Sequence, residues 1–403
     1  MNKALLVVAA LLAAAAPAVA GETVLYSFAD GTDGGGPSGN LTVAGGDLYG
    51  TAHFGGITTC GGFVGGGCGV VYRLTPAQGG WTEQALYAFG DGTDGGFPNA
   101  GVVVDNSGNV YGAASTGGNT ACSIGCGVVY EVSPHGSAWS ERVLHAFDGT
   151  DGEFPNAPLW VDPAGNFYST TWHGGASGSG EVFALKHSGS TWNETVLHAF
   201  NGTTEGLGPA GGVVLTPSGR IFGTTYVYNG QTDGTVYELV RAHRAWHDDV
   251  LQTFQGSANG CNPYAGLIAD ARGNLYGTTI ECGPNGDGVA FEMVRAGKGY
   301  HERVLHTFGG PGDGASPYAG LSADARGNLY GTTVSGGASG SGTVYELAHT
   351  KRGYVEHILY SFGGGADGAN AGGGVILDSS GDLFGVTSGG GASGAGTVYE
   401  ITP

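Results

Sequence analysis

Trp172, His173 and Glu181 bring an indole, an imidazole and a carboxylate into one short stretch of the chain. That trio suits a sugar ring, whose C–H face stacks on an aromatic side chain while polar groups take its hydroxyls. Corresponding places elsewhere add His53 and Phe54, Tyr226 with Tyr228 nearby, and Glu281. Asn99 and Asn156, each directly after a proline, add amide contacts. The competing reading is that Trp172 fills a gap beside an unusual loop. If the same groups catalyse, His173 or Tyr226 is the base of a polysaccharide lyase. Glu181 and Glu281 would be the carboxyl pair of a glycosidase, which must stand ~5–9.5 Å apart. The sequence completes neither set.

A second group of acids repeats. Asp-Gly-Thr-Asp-Gly occurs three times, giving Asp30 and Asp33, Asp91 and Asp94, Asp148 and Asp151. Calcium takes six to eight oxygens, and these carboxylates could supply some. Asp and Gly are also the preferred residues of β-turns, and the spacing is not that of an EF-hand. The expectation is no cofactor, with calcium as the alternative. His145, His198 and His306 share one repeat position with Tyr26, Tyr87, Gln252 and Tyr360. A place filled by His, Tyr or Gln reads as a hydrogen-bonding scaffold position.

These groups need a frame. Glycine supplies 84 of 403 residues and charged residues only 12%. Glycine this dense excludes long helices, at ~1 kcal/mol per interior position. The absence of a Gly-X-Y period excludes collagen. Apolar residues spread along the whole chain exclude a disordered linker. Three markers each recur seven times in the same order. The aromatic of the first is Tyr49, Tyr111, Tyr168, Phe222, Tyr276, Tyr330 and Phe384. A Leu-x-x-Phe unit ends at Phe28 and then once per repeat, and a unit centred on VYE occurs once in each repeat. Each repeat reads as four strands, A to D; in the fifth they are Tyr264 to Asp270, Asn274 to Thr279, Val289 to Val294 and Tyr300 to Phe308. Most strands carry apolar or small residues on both faces, so both faces should be covered. The expected fold is an all-β, seven-bladed β-propeller with four antiparallel strands per blade. The chain opens on a lone strand D and ends on a strand C, so the N-terminal strand should complete the last blade and close the ring.

Residues 1–20 read as a signal peptide, with Lys3, an apolar run and a small-x-small site at Ala18-Val19-Ala20; residues 21–403 form one domain. No span is expected in the mature chain, which should be secreted or periplasmic. Six cysteines in an exported chain imply disulfides, and their spacing suggests Cys60–Cys68, Cys122–Cys126 and Cys261–Cys282. A net charge of −20 argues against nucleic acid. The acids of the D-to-A loops should make the long-loop face acidic. A monomer is expected, with a glycan or an extracellular protein as partner.

The units GNLYGTT, GGASGSGTVYEL and VLHTF resemble the GloVer tandem repeat of bacterial surface and secreted proteins, over residues 23–403. The resemblance implies export and a repeat fold, and supplies no catalytic positions. Members often carry C-terminal sorting anchors; none is recognised here, so free secretion is expected. Three functions stay open: a binding module, a polysaccharide-degrading enzyme, and a purely structural extracellular protein.

Overall fold

The computed structural model describes residues 21–403 except 57–59, 61–65, 91, 227–232 and 243–244. The expected leader, Asp91 and Tyr228 lie outside the described residues. Seven four-stranded antiparallel sheets form a seven-bladed β-propeller, and the described residues contain no helix. Blade 3 is representative, with strand A Trp160–Val161, B Phe167–Thr171, C Glu181–Ser188 and D Thr191–Ala199. Strand A lies innermost and D outermost.

Closure follows the expected route. Gly21–Ser27 pairs with Thr397–Thr402, setting Val24 opposite Tyr399 and Tyr26 opposite Val398. The same N-terminal strand touches Gly80–Ala88, the outer strand of blade 1, so the ring has no open junction.

The repeat markers are explained by packing. The aromatic of VYE lies across the glycine of the neighbouring strand B. A Cβ on Gly331 would stand 2.4 Å from Tyr345 Oη, and on Gly112 2.3 Å from Tyr130 Oη. The first threonine of GTT reaches the next blade: Thr170 Oγ1 donates to Gly211 O (3.1 Å), Thr224 to Ala265 O (3.0 Å), Thr278 to Ala319 O (3.1 Å) and Thr332 to Gly373 O (2.9 Å). Leucine of Leu-x-x-Phe sits at a bulge in strand D, where Tyr72 opposes Ala85 and Val71 opposes Tyr87. Such a bulge re-aims the next side chain.

Two expectations change. Strand A of blade 5 is only Ile268–Ala269, not Tyr264 to Asp270. The preceding residues converge on the axis and bond sideways instead; Ala265 O is taken by Thr224, and a Cβ on Gly211 would lie 2.4 Å from the Ala265 carbonyl carbon. Strands B and C are covered on both faces, but strand D alternates exposed and half-buried residues because it is the outer edge.

The three expected disulfides are formed, which fits an oxidising compartment. Among the described residues no helix is long and apolar enough to cross a membrane.

Candidate functional site at the channel mouth

A cavity of about 1080 Å³ runs along the axis and takes lining residues from all seven blades. One repeat position dominates its mouth, the residue after the proline that leads into strand A. It is Ser38, Asn99, Asn156, Ala210, Tyr264 and Tyr318 in blades 1 to 6. In blades 2 to 6 the segment lies outside the blade's ladder, while in blade 1 Pro37 and Ser38 pair with Ala52 and Thr51; in each, proline holds the chain extended ahead of the next side chain.

The mouth has two unlike sides. On one, Asn99 Nδ2 donates to Asn156 Oδ1 at 3.4 Å. His53 hydrogen-bonds Asn99, and burial pushes its imidazole down to about 4, so it is neutral at pH 7. On the other, rings succeed one another: Trp172 and Tyr226 at 5.4 Å between centroids, Trp172 and Tyr264 at 5.4 Å, Tyr264 and Tyr318 at 4.2 Å. Ala210 gives blade 4 no side chain large enough to separate Trp172 from Tyr264. Burial raises both tyrosines, so the phenols stay un-ionised hydrogen-bonding groups.

The other sequence candidates distribute around this mouth. Phe54 is 44% exposed and meets His53 at 4.4 Å. His173 is half-buried, bridges backbone to backbone with Glu153 and lies 6.2 Å from Trp172; burial lowers its pKa. Glu281 is exposed and accepts from Asn262 Nδ2 at 3.0 Å. Glu181 does not join the rings. It is 1% exposed, packs beneath Gly175 and feels the charge of Asp151, with its own carboxyl pushed up to about 7. Tyr264 and Tyr318 were missed by sequence reasoning. The signal was present, since they occupy the post-proline position already picked out at Asn99 and Asn156.

The expected acidic face is not the channel mouth. Acids of the D-to-A loops turn back into their own loops and toward the neighbouring outer strand. Asp33 accepts from Gly31 N, Ala29 N and Tyr26 Oη, and Asp94 repeats this with Gly92, Gly90 and Tyr87. Asp148 accepts from Thr150 N and Oγ1, and Asp151 from Asp148 N. Asp30, with φ 57°, is exposed within its turn. The single carboxylate on the cavity wall is Asp270, among the described residues. Its oxygens already accept from Arg272 N, Asn274 N and Nδ2, and Tyr276 Oη. His145, His198 and His306 bond Asp151, Glu205 and Asp313, in line with a scaffold position.

No curated protein matches the chain. Among solved structures, polysaccharide lyase Uly1 is similar at TM-score 0.53 and 10% identity, over 91% of this chain and 89% of that one. A protein of unknown function from Dyadobacter fermentans aligns at TM-score 0.46 and 12% identity, over 94% and 96%. XC5397 of Xanthomonas campestris, a gluconolactonase, aligns at 0.42 and 14%, over 95% and 89%. At these identities the likeness extends to the fold alone. The sequence itself is more specific: residues 56–247 and 218–403 match the Gloeobacter/Verrucomicrobia repeat, and the chain belongs to that family.

Proposed function

We propose that the protein is a carbohydrate-binding module whose ligand lies across the channel mouth. One observation carries this reading: a run of rings, Trp172–Tyr226–Tyr264–Tyr318, enters the cavity through Tyr264 and Tyr318, which line it together with His53, Asn99 and Asn156. A pyranose offers an apolar face to the rings and hydroxyls to the amides, and a rigid frame keeps the ordering cost low. The rings and the amide–imidazole wall are uncharged and, among the described residues, the one acid acting on the rings is Glu281 beside Tyr226, which favours a neutral glycan over a polyanionic one.

A glycan array tests it. Retention on at least one neutral oligosaccharide is expected, and Tyr264→Ala should remove that signal while the folded circular-dichroism spectrum persists. Failure of the wild-type protein to retain any glycan would overturn the proposal. Incubation with a polysaccharide panel, read by reducing ends and by absorbance of unsaturated sugars, should show no turnover. A glycosidase would require a second carboxylate at the cavity beside Asp270, and the described lining offers none.

A further inference from the structure

One junction between blades differs from the other six. At every junction an acid or amide of a D-to-A loop meets an acid from the next blade's strand D. Between blades 2 and 3 these are His145 on strand D Ala138–Ala146, Asp151 in the loop, and Glu194 on Thr191–Ala199. One donor atom from each lies within 4.8 Å of the others, and His145 Nε2 is 2.9 Å from Asp151 Oδ2. Comparable triads form at His198, Glu205 and Asp248 and at His306, Asp313 and Glu356. A cluster of this kind, alone, is a scaffold.

The second observation belongs only to the first junction. Strand B ends and strand C begins on a cross-strand pair whose side chains point beneath the loop. In blades 4, 6 and 7 the pair is threonine with threonine, hydroxyls 2.7, 2.9 and 2.8 Å apart. In blades 1 and 2 it is alanine with valine. Blade 3 pairs Thr171 with Glu181. Both are buried, at 0% and 1% exposure, and Thr171 Oγ1 and Glu181 Oε2 have no hydrogen-bond partner. The Glu181 carboxyl stands outside the 4.8 Å group but borders it: it packs beneath Gly175, and the Oγ1 of its cross-strand partner Thr171 would lie 2.6 Å from a Cβ on Gly152, the residue after Asp151. Glu194 Oε1 is buried without a partner too, as is an oxygen of the strand D acid at each other junction (Glu22, Glu83, Glu141, Asp248, Glu302, Glu356), so Thr171 and Glu181 alone set this junction apart. A buried carboxylate without a donor or cation is costly.

We propose that His145, Asp151, Glu194 and Glu181 form a site for a first-row divalent cation such as Zn²⁺ or Mn²⁺. One imidazole with three carboxylates suits such ions, while the nitrogen donor disfavours calcium and magnesium. The cation would join strand D of blade 2, the following loop and two strands of blade 3, neutralising three acids gathered in one place.

The test uses the full chain after chelator treatment and dialysis. Titration calorimetry with ZnCl₂ and with MnCl₂ should show one tight site per chain, and the metal should raise the melting temperature. Glu181→Thr installs the residue that blades 4, 6 and 7 carry, so it should fold. It should weaken the tight site at least tenfold, and His145→Tyr, the residue of blades 1, 6 and 7, should do the same. No binding, tighter binding of CaCl₂ than of either ion, or three equal sites that survive Glu181→Thr would each overturn the proposal.

Discussion

Blades 3 and 6 share a chain path and part at a handful of positions. Blade 6 keeps the repeat: Gly331 under Tyr345, and Thr333 bonded to Thr343. Blade 3 has Ser169 opposite Phe183, Thr171 opposite Glu181, and Trp172 followed by His173. The departures are of different kinds. Phe183 lacks the hydroxyl that stands closest to this position in the tyrosine blades, though in blade 5 a Cβ on Gly277 would still lie 2.7 Å from the Phe291 ring; Ser169 Oγ reaches Ala157 O and Pro158 O at 3.2 and 3.0 Å. That change is absorbed by its neighbour and concerns packing. The Thr171–Glu181 change is compensated by no hydrogen bond among the described residues, and Trp172 packs on Tyr226 and on Tyr264, a ring of the cavity wall. A deviation from a repeat therefore points to function only where the surrounding side chains fail to compensate it.

The largest effect should come from moving blade 3's serine into blade 6 without its partner. Gly331→Ser should cost about 3 kcal/mol in denaturant unfolding, since overpacking a close contact is destabilising. Adding Tyr345→Phe should recover part of that loss, because it removes the hydroxyl but leaves the ring carbon. Recovery of nothing would break the explanation of Ser169. Next, in chelator, Glu181→Thr should stabilise the protein by about 1–2 kcal/mol by replacing an unpartnered carboxylate with a hydroxyl pair.

A smaller effect comes from pH. Burial raises Glu22, Glu83 and Glu141 to about 7, helped by Asp367, Asp33 and Asp94. The folded state then holds more protons than the unfolded chain from about pH 7 downward, so these groups make stability rise as pH falls through 7. His53, His173 and His198 are lowered by burial and oppose this below their ordinary value of 6.5. The melting temperature in chelator should therefore increase from pH 8 to 6.5 by a few degrees, with a shallower slope in Glu83→Gln. A melting temperature that falls over that window would contradict the assignment. Smallest of all, Ser169→Gly should cost under about 1 kcal/mol, read from the denaturation midpoint.

Much of the frame was legible in the chain because each marker has a local steric cause. Glycine at 331, threonine at 332 and tyrosine at 345 answer to one close approach and one interblade hydrogen bond, so they recur wherever the geometry recurs. Disulfide partners were legible because they are near neighbours in sequence. The site was only partly legible. Trp172, Tyr226, His53, Asn99 and Asn156 reach the mouth, while Glu181 follows its strand down to the blade junction. Tyr264 and Tyr318 escaped notice because they look like strand residues until the axis is known to draw strand A out of its ladder. The acid clusters at the junctions join residues from adjacent repeats, a relation that only the ring supplies.

In the proposed binding mode the rings at the mouth hold the ligand. This is tested most directly by equilibrium titration of an array-positive oligosaccharide against Trp172→Ala and Trp192→Phe. Trp192, half-buried on the outer strand of blade 3, stacks on Phe167 at 5.1 Å. The prediction is at least tenfold weaker binding for Trp172→Ala with its melting temperature within about two degrees of wild type, and unchanged affinity for Trp192→Phe. Unchanged affinity in Trp172→Ala, with a large loss of stability, would show that its indole is packing and that the mouth is not the binding site.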